Sequence, residues 1–357
     1  MARAQLTIDL DAIAANWRAL DALSGAGVET AAVVKADAYG LGGARVGRAL
    51  AAAGARSFFV ALAEEGAALR AALGPGPDIH VFDGLMGGDE ALCREHDLIP
   101  CLSSPVQVVC FLEKCRDLAC ALQLDSGMNR LGLEPSELEA LAPLLPRLKL
   151  RLALSHLACA DDPAHPQNAA QRAAFVAVCV RLPAARRSLA ATGGVLLGSE
   201  FHFDLTRPGV GLYGGAPFAG ARPVVTLALP VVQVREVATG ESVGYGAAWT
   251  AARPSRIATL SAGYADGLLR ALGGGGVRLY AGDAACPLIG RVSMDLITAD
   301  VTDLAEVPET MEILNDRQGV DHLAAAAGTI GYEILTSLGA RYERAYLEAP
   351  EAPGPAA

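Results

Sequence analysis

Residues 31–62 read AAVVKADAYGLGGARVGRALAAAGARSFFVAL, and three patterns follow one another within them. Ala31–Ala36 is a short apolar run interrupted only by Lys35, which predicts a buried strand. After a glycine-rich bend, Gly43–Ala53 carries Ala44, Val46, Gly47 and Leu50 at helical spacing. Ser57–Leu62 is a second apolar run. Parallel strands need a crossover of about a dozen residues, usually a helix, and this stretch has the right order and length for one.

The same unit recurs along the first 220 residues. Further strands are expected at Ile79–Phe82, Leu98–Leu102, Ala119–Leu124, Arg151–His156, Ser188–Thr192 and Phe203–Tyr213, with helical patterns such as Gln167–Leu182 between them. Eight strands, each followed by a helix-length connection, predict an α/β chain that opens with a (β/α)8 TIM-type barrel. A doubly wound open sheet is the competing architecture, but eight evenly spaced repeats close more naturally than they fan out. Beyond Ala221 the texture changes to β-rich runs (Val224–Glu236, Arg256–Ser261, Val277–Tyr280, Ile289–Ile297) punctuated by Gly and Pro. The expected division is a barrel over residues 1–222, a C-terminal mostly-β domain over 223–348, and a disordered tail over 349–357. Residues 1–10 are expected to form a strand that joins the β domain.

Of 357 residues, 52% are hydrophobic and 19% charged, which excludes a disordered chain and allows a sizeable core. The formal charge of −10 argues against a nucleic-acid-binding surface. The eight cysteines form no CxxC pair and no regular spacing, so they read as small buried hydrophobes in a reducing compartment. No apolar run precedes the first charges, and no stretch is long enough to span a bilayer. A cytoplasmic protein without membrane or nucleic-acid partners is expected.

The chain has 26 arginines but only three lysines. Lys114 and Lys149 sit in charged surroundings, whereas Lys35 ends an apolar strand. The carboxyl end of a barrel strand is where active-site residues stand, and a desolvated lysine there becomes a nucleophile. A lysine snorkelling from a strand end is the plainer alternative for this residue taken alone.

AVVKADAYGLG (32–42) resembles the pyridoxal-phosphate motif of alanine racemases. The resemblance continues through LDSGMNRLG (124–132), SHLACAD (155–161), FDLTRPGVGLYG (203–214), GYADG (263–267), GRVSMD (290–295) and TIGYE (329–333), in the family's order and over nearly the whole chain. It implies a racemase that interconverts L- and D-alanine by two bases, Lys35 and Tyr264, on opposite faces of the substrate. Lys35 would also hold pyridoxal phosphate. Tyr39, Thr192, Gly209, Val210 and Tyr332 would contact its phosphate, with threonine standing where the family usually has serine. His156 would lie near the ring and Arg207 against the pyridine nitrogen. An arginine cannot accept a proton and stays charged, so it leaves that nitrogen unprotonated and restrains side reactions. Arg130 and the Met294 backbone N–H would take the substrate carboxylate. The resemblance further implies a homodimer with shared sites.

One position departs from the family. Some members carry a carbamylated lysine seven residues before the substrate-binding arginine, and here that residue is Gln123. Its amide is expected to accept N–H bonds from Arg130 without adding charge. Three other readings have less support: a racemase of broader small amino-acid specificity, a non-catalytic pyridoxal-phosphate carrier, and a two-domain amino-acid decarboxylase. Carriers lack a β domain, and decarboxylases place a carboxylate where Arg207 stands.

Overall fold

The computed structural model describes residues 3–183, 185–274 and 276–348. They form two compact units, one of Ile13–Tyr213 with Pro217–Ala221, the other of the residues up to Ala12, Gly214–Ala216 and the chain from Arg222 onward. The tail expected at 349–357 lies outside the described residues.

In the first unit, seven parallel strands pair in chain order: Ala32–Val33, Ser57–Val60, Asp78–Val81, Leu98–Leu102, Ala119–Gln123, Lys149–Leu154 and Arg186–Ser188. The eighth, Leu205–Thr206, pairs in parallel with Glu29–Thr30 at the start of the first. On its other side the Asp204 N–H donates to the Arg187 carbonyl (3.0 Å) and the Arg207 N–H to that of Ala190 (2.8 Å). Eight strands therefore close the ring. The last strand is much shorter than the expected Phe203–Tyr213. Phe203 has a left-handed φ of 54°, Pro208 has no N–H to give, and Val210–Tyr213 turns into a 3-10 helix.

Strands such as Ser57–Val60 and Leu98–Leu102 are buried throughout, as a sheet covered on both faces requires. The helix Gly43–Ala53 turns Val46, Gly47 and Leu50 inward. A Cβ on Gly47 would come within 2.5 Å of Leu69 on the helix Ala63–Leu73, so glycine permits these helices to pack closely.

The second unit is a closed antiparallel barrel. Val225–Val237 pairs with Ser255–Leu260, which continues through Ile297–Asp300, Ala284–Ile289, Arg278–Ala281 and Thr310–Leu314 back to the first strand. Val225–Val237 is 13 residues long, so its first part is free to pair with Gln5–Ile8 as well. The apolar run Ile289–Ile297 is not a strand. Gly290 adopts φ 66°, and the Ser293 N–H bonds to the Leu296 carbonyl (2.9 Å), which turns residues 290–296 into a loop between two strands. Among the described residues, no helix is long and apolar enough to cross a membrane.

Candidate active site

Lys35 stands where the first barrel strand ends. The next four residues, Ala36, Asp37, Ala38 and Tyr39, have φ of 53–56° and form a left-handed turn. L-residues lose about 1–2 kcal/mol each in that conformation, so the turn is held by its bonds. The Ala38 N–H donates to the Val34 carbonyl (2.9 Å), and the Gly43 N–H to Asp37 Oδ1 (2.6 Å). Glu65 Oε1 accepts from the Ala36 N–H (2.7 Å). Lys35 reaches solvent at the barrel mouth, with Nζ 5.7 Å from the centre of the Phe82 ring. Desolvation lowers its pKa, and the Arg130 charge lowers it further, against the opposing fields of Asp83 and Glu65. Such a lysine is easier to deprotonate than a surface one.

The left-handed turn carries Tyr39 inward to a second cluster. Tyr39 is buried against Tyr213, with ring centres 4.6 Å apart, and Tyr213 Oη donates to the Val33 carbonyl (2.9 Å). A Cβ on Gly209 would sit 2.4 Å from Tyr39 Oη, so only glycine leaves that hydroxyl its place. Thr192, which opens the short helix Thr192–Leu197, accepts from the N–H groups of Gly209 (3.1 Å) and Gly211 (3.3 Å) through Oγ1. Val210 is buried between them. The Tyr39 and Thr192 hydroxyls and the N–H groups of Gly209 and Gly211, which here donate to Thr192 Oγ1, meet where strands seven and eight end, and a phosphate placed there would take these donors over from Thr192.

Arg207 is 2% exposed. Its guanidinium donates to Ser188 Oγ and to the Ser155 carbonyl (2.5 Å) and lies 5.8 Å from the Phe59 ring centre. It forms no ion pair among the described residues, and burial lowers its pKa to about 10, which leaves it charged at neutral pH. A buried cation without a carboxylate partner suits a neutral acceptor such as a pyridine nitrogen. His156 follows Ser155. Desolvation first, then Arg207, Arg130 and Lys35, depress its pKa to about 3, so its ring is neutral.

Arg130 extends from a loop that Asp125 shapes. Asp125 Oδ1 accepts from the N–H groups of Gly127 (2.7 Å), Met128 (3.0 Å) and Asn129 (3.2 Å). Arg130 is exposed and makes no hydrogen bond or ion pair among the described residues. Gln123 is buried, but the expected bond from Arg130 to its amide is not formed. Gln123 is the last residue of its strand, while the Asp125 loop carries Arg130 towards solvent.

In the other unit, Tyr264 opens a 3-10 turn, Tyr264–Asp266, and Met294 lies in the 290–296 loop. Backbone bonds from Tyr264 N to Ser293 O and from Ala265 N to Met294 O, both 3.0 Å, join the two loops. Arg341 braces them by pairing with Asp266 (2.6 Å) and Asp295 (2.8 Å). Tyr264 and Met294 are 43% and 53% exposed, and the Met294 N–H has no partner among the described residues. Tyr332 lies half-buried on the helix Gly331–Ser337.

The structure thus gathers Lys35, Tyr39, Arg130, His156, Thr192, Arg207, Gly209 and Val210 at the carboxyl ends of barrel strands. It sets Tyr264 and Met294 side by side on the β unit. Sequence reasoning missed Glu65 and the fully buried Gln171. Gln171 takes the Ala158 N–H (2.8 Å) and donates to the His156 carbonyl (2.9 Å) and to Ser126 Oγ (3.3 Å). An amide on the apolar face of a helix was the available signal.

Comparison with known proteins identifies the family. Residues 8–217 match the family of alanine racemase N-terminal domains and residues 224–346 that of the C-terminal domains. An alanine racemase of Cereibacter sphaeroides (strain ATCC 17023) is 61% identical over 348 residues, covering 97% of this chain and 99% of its own. One of Dinoroseobacter shibae is 59% identical with the same coverage. Among solved structures, the alanine racemase of Bartonella henselae with covalently bound pyridoxal phosphate superposes with a TM-score of 0.91 at 38% identity, covering 97% of this chain and all of its own. That of Streptomyces lavendulae gives 0.92 at 32% identity, with 98% of each chain covered. The chain belongs to the alanine racemase family.

Proposed function

We infer that this chain is a pyridoxal-phosphate-dependent racemase that interconverts L- and D-alanine. The carrying observation is the pair formed by a desolvated Lys35 at the first strand's end and a buried Arg207 without a carboxylate partner. The residues fit the cofactor: Lys35 would hold it covalently, Thr192, Gly209, Val210 and Tyr39 its phosphate, Arg207 its ring nitrogen and His156 its ring. Tyr332 would add a further phosphate contact. When bound, pyridoxal phosphate makes the substrate's Cα–H acidic by drawing electrons from it.

The remaining work falls to side chains. Arg130, exposed and without a hydrogen bond or ion pair among the described residues, would bind the substrate carboxylate together with the Met294 N–H. Removing the α-proton from one face and returning it on the other needs a base on each. Lys35 Nζ is one, with a pKa lowered towards the range of a working base. Tyr264 Oη would be the other. Arg207, which cannot accept a proton and keeps its charge, would face the ring nitrogen as a donor and would leave that nitrogen unprotonated.

Tyr264 and Met294 are exposed on their unit, and we propose that a second copy of the chain presents them at a barrel mouth in a homodimer. The eight free cysteines fit a reducing, cytoplasmic setting. The test is direct: purified protein with added pyridoxal phosphate should form D-alanine from L-alanine. No D-alanine from protein that has taken up the cofactor overturns the assignment.

A further inference from the structure

The left-handed turn behind Lys35 is the most strained segment at the site, and one side chain reaches it from another strand. Glu65 is the third residue of the helix Ala63–Leu73, which follows the second barrel strand. Its Oε2 accepts from the N–H of Ala61 (2.8 Å), at the end of that strand, and more weakly from Leu62 (3.4 Å). Its Oε1 accepts from the Ala36 N–H at 2.7 Å. Ala36 is both the residue after Lys35 and the first of the left-handed four. A single carboxylate therefore joins the ends of strands one and two across the point where the lysine leaves the barrel.

We propose that Glu65 is a positioning residue that locks the left-handed turn and so aims Lys35 at the cofactor. Without it, the Ala36 N–H loses its acceptor, and the bond from the Ala38 N–H to the Val34 carbonyl is left to hold that end of the turn. Hydrogen bonds to an ionised acceptor are the stronger kind, which explains a carboxylate rather than an amide here. Glu64, its neighbour, is exposed and forms no hydrogen bond or ion pair among the described residues, so it serves as the control. The inference rests on Lys35 as the cofactor lysine, but its first readout does not.

The test uses Glu65→Ala, Glu65→Gln and Glu64→Ala in the full-length protein. Backbone amide exchange, followed by mass spectrometry without cofactor, should accelerate at least tenfold over residues 36–43 in Glu65→Ala and remain unchanged over 44–53. The pyridoxal phosphate concentration that half-saturates covalent attachment should rise at least tenfold. Glu65→Gln, which keeps the shape and one acceptor oxygen, should show smaller shifts of both and is the variant to read if Glu65→Ala does not fold. Glu64→Ala should match wild type. Exchange and half-saturation within twofold of wild type in both Glu65 variants overturn the role of Glu65. Exchange that rises evenly across the barrel reduces Glu65 to a general stabiliser and also overturns it. Covalent attachment that survives Lys35→Ala overturns the reading of Lys35 instead, whatever Glu65 does to exchange.

Discussion

The barrel unit and the β unit treat their chemical groups in opposite ways. In the barrel, Tyr39, Thr192 and Arg207 are all at most 5% exposed, and hydrogen bonds or ring contacts fix each of them. In the β unit, Tyr264 and Met294 are about half exposed, and the backbone bonds of two loops hold their place. A group that binds a phosphate or a ring repays rigid burial, because its ligand stays put. A group that meets a transient substrate must be reachable. Under the function proposed above, the barrel would hold the cofactor and the β unit would present a base. Damage to the two should accordingly fail in different ways.

The largest failure is expected at Lys35. Lys35→Ala should abolish covalent cofactor attachment and lower racemisation by at least ~10⁴-fold, since holder and base are lost together. Absorbance of the dialysed protein and D-alanine formation measure both. Racemisation near the wild-type rate would break the contrast at its root.

Tyr264→Phe tests the presenter. Covalent attachment should persist while kcat/KM falls by roughly 10²–10⁴-fold. The fall must be equal in both directions, because enantiomers have equal free energy. The discriminating measurement is proton exchange in D2O: with Lys35 intact, one enantiomer should still exchange its α-proton without inverting. Undiminished racemisation, or exchange lost from both enantiomers alike, removes Tyr264 from the second face.

Burial in the barrel also has a pH signature. His80, 3% exposed, stacks on Phe59 with ring centres 4.5 Å apart. Desolvation, then the fields of Arg186, Arg207 and Arg151, lower its pKa from 6.5 to about 3. Between those values the unfolded chain takes up a proton that the folded chain refuses, so stability falls as pH falls through the window. At pH 5 the loss from His80 is about 2 kcal/mol. Urea unfolding at pH 7.5 and pH 5 should show His80→Phe losing less stability than wild type by about that amount. Equal losses in the two proteins would mean that His80 is solvated.

The same contrast explains what could be read from the sequence. The repeat of apolar run and helical pattern made the barrel legible, because period and length carry that information. The left-handed turn was not legible: Ala36, Asp37, Ala38 and Tyr39 have no local preference for positive φ, and the conformation comes from bonds to Val34, Glu65 and Gly43. The loop 290–296 was misread as strand because Val292 and Met294 are apolar, while the turn depends on the φ of Gly290 and the Ser293–Leu296 bond. Arg130 and Arg207 were legible as residues, but their environments were not. Sequence spacing suggested that Gln123 faces Arg130, and tertiary geometry separates them.

That separation gives the smallest expected effect and the finest test of how the holder works. Arg130 lies between the two extremes, exposed like Tyr264 but mounted on the barrel. Its orientation comes from the loop, where the Asp125 carboxylate collects three N–H groups within 3.2 Å. Removing that carboxylate in Asp125→Ala frees the loop, and losing a charge-assisted bond of ~1.5 kcal/mol corresponds to roughly a tenfold rise in KM. Gln123 makes no bond to Arg130, so Gln123→Ala should change KM by less than about twofold, within the ordinary scatter of a substitution away from any such feature. A neutral amide at this position also leaves nothing to carbamylate, and activity should be the same in degassed and bicarbonate-supplemented buffer. If Gln123→Ala raised KM as much as Asp125→Ala, Arg130 would be steered by the barrel interior rather than by its own loop.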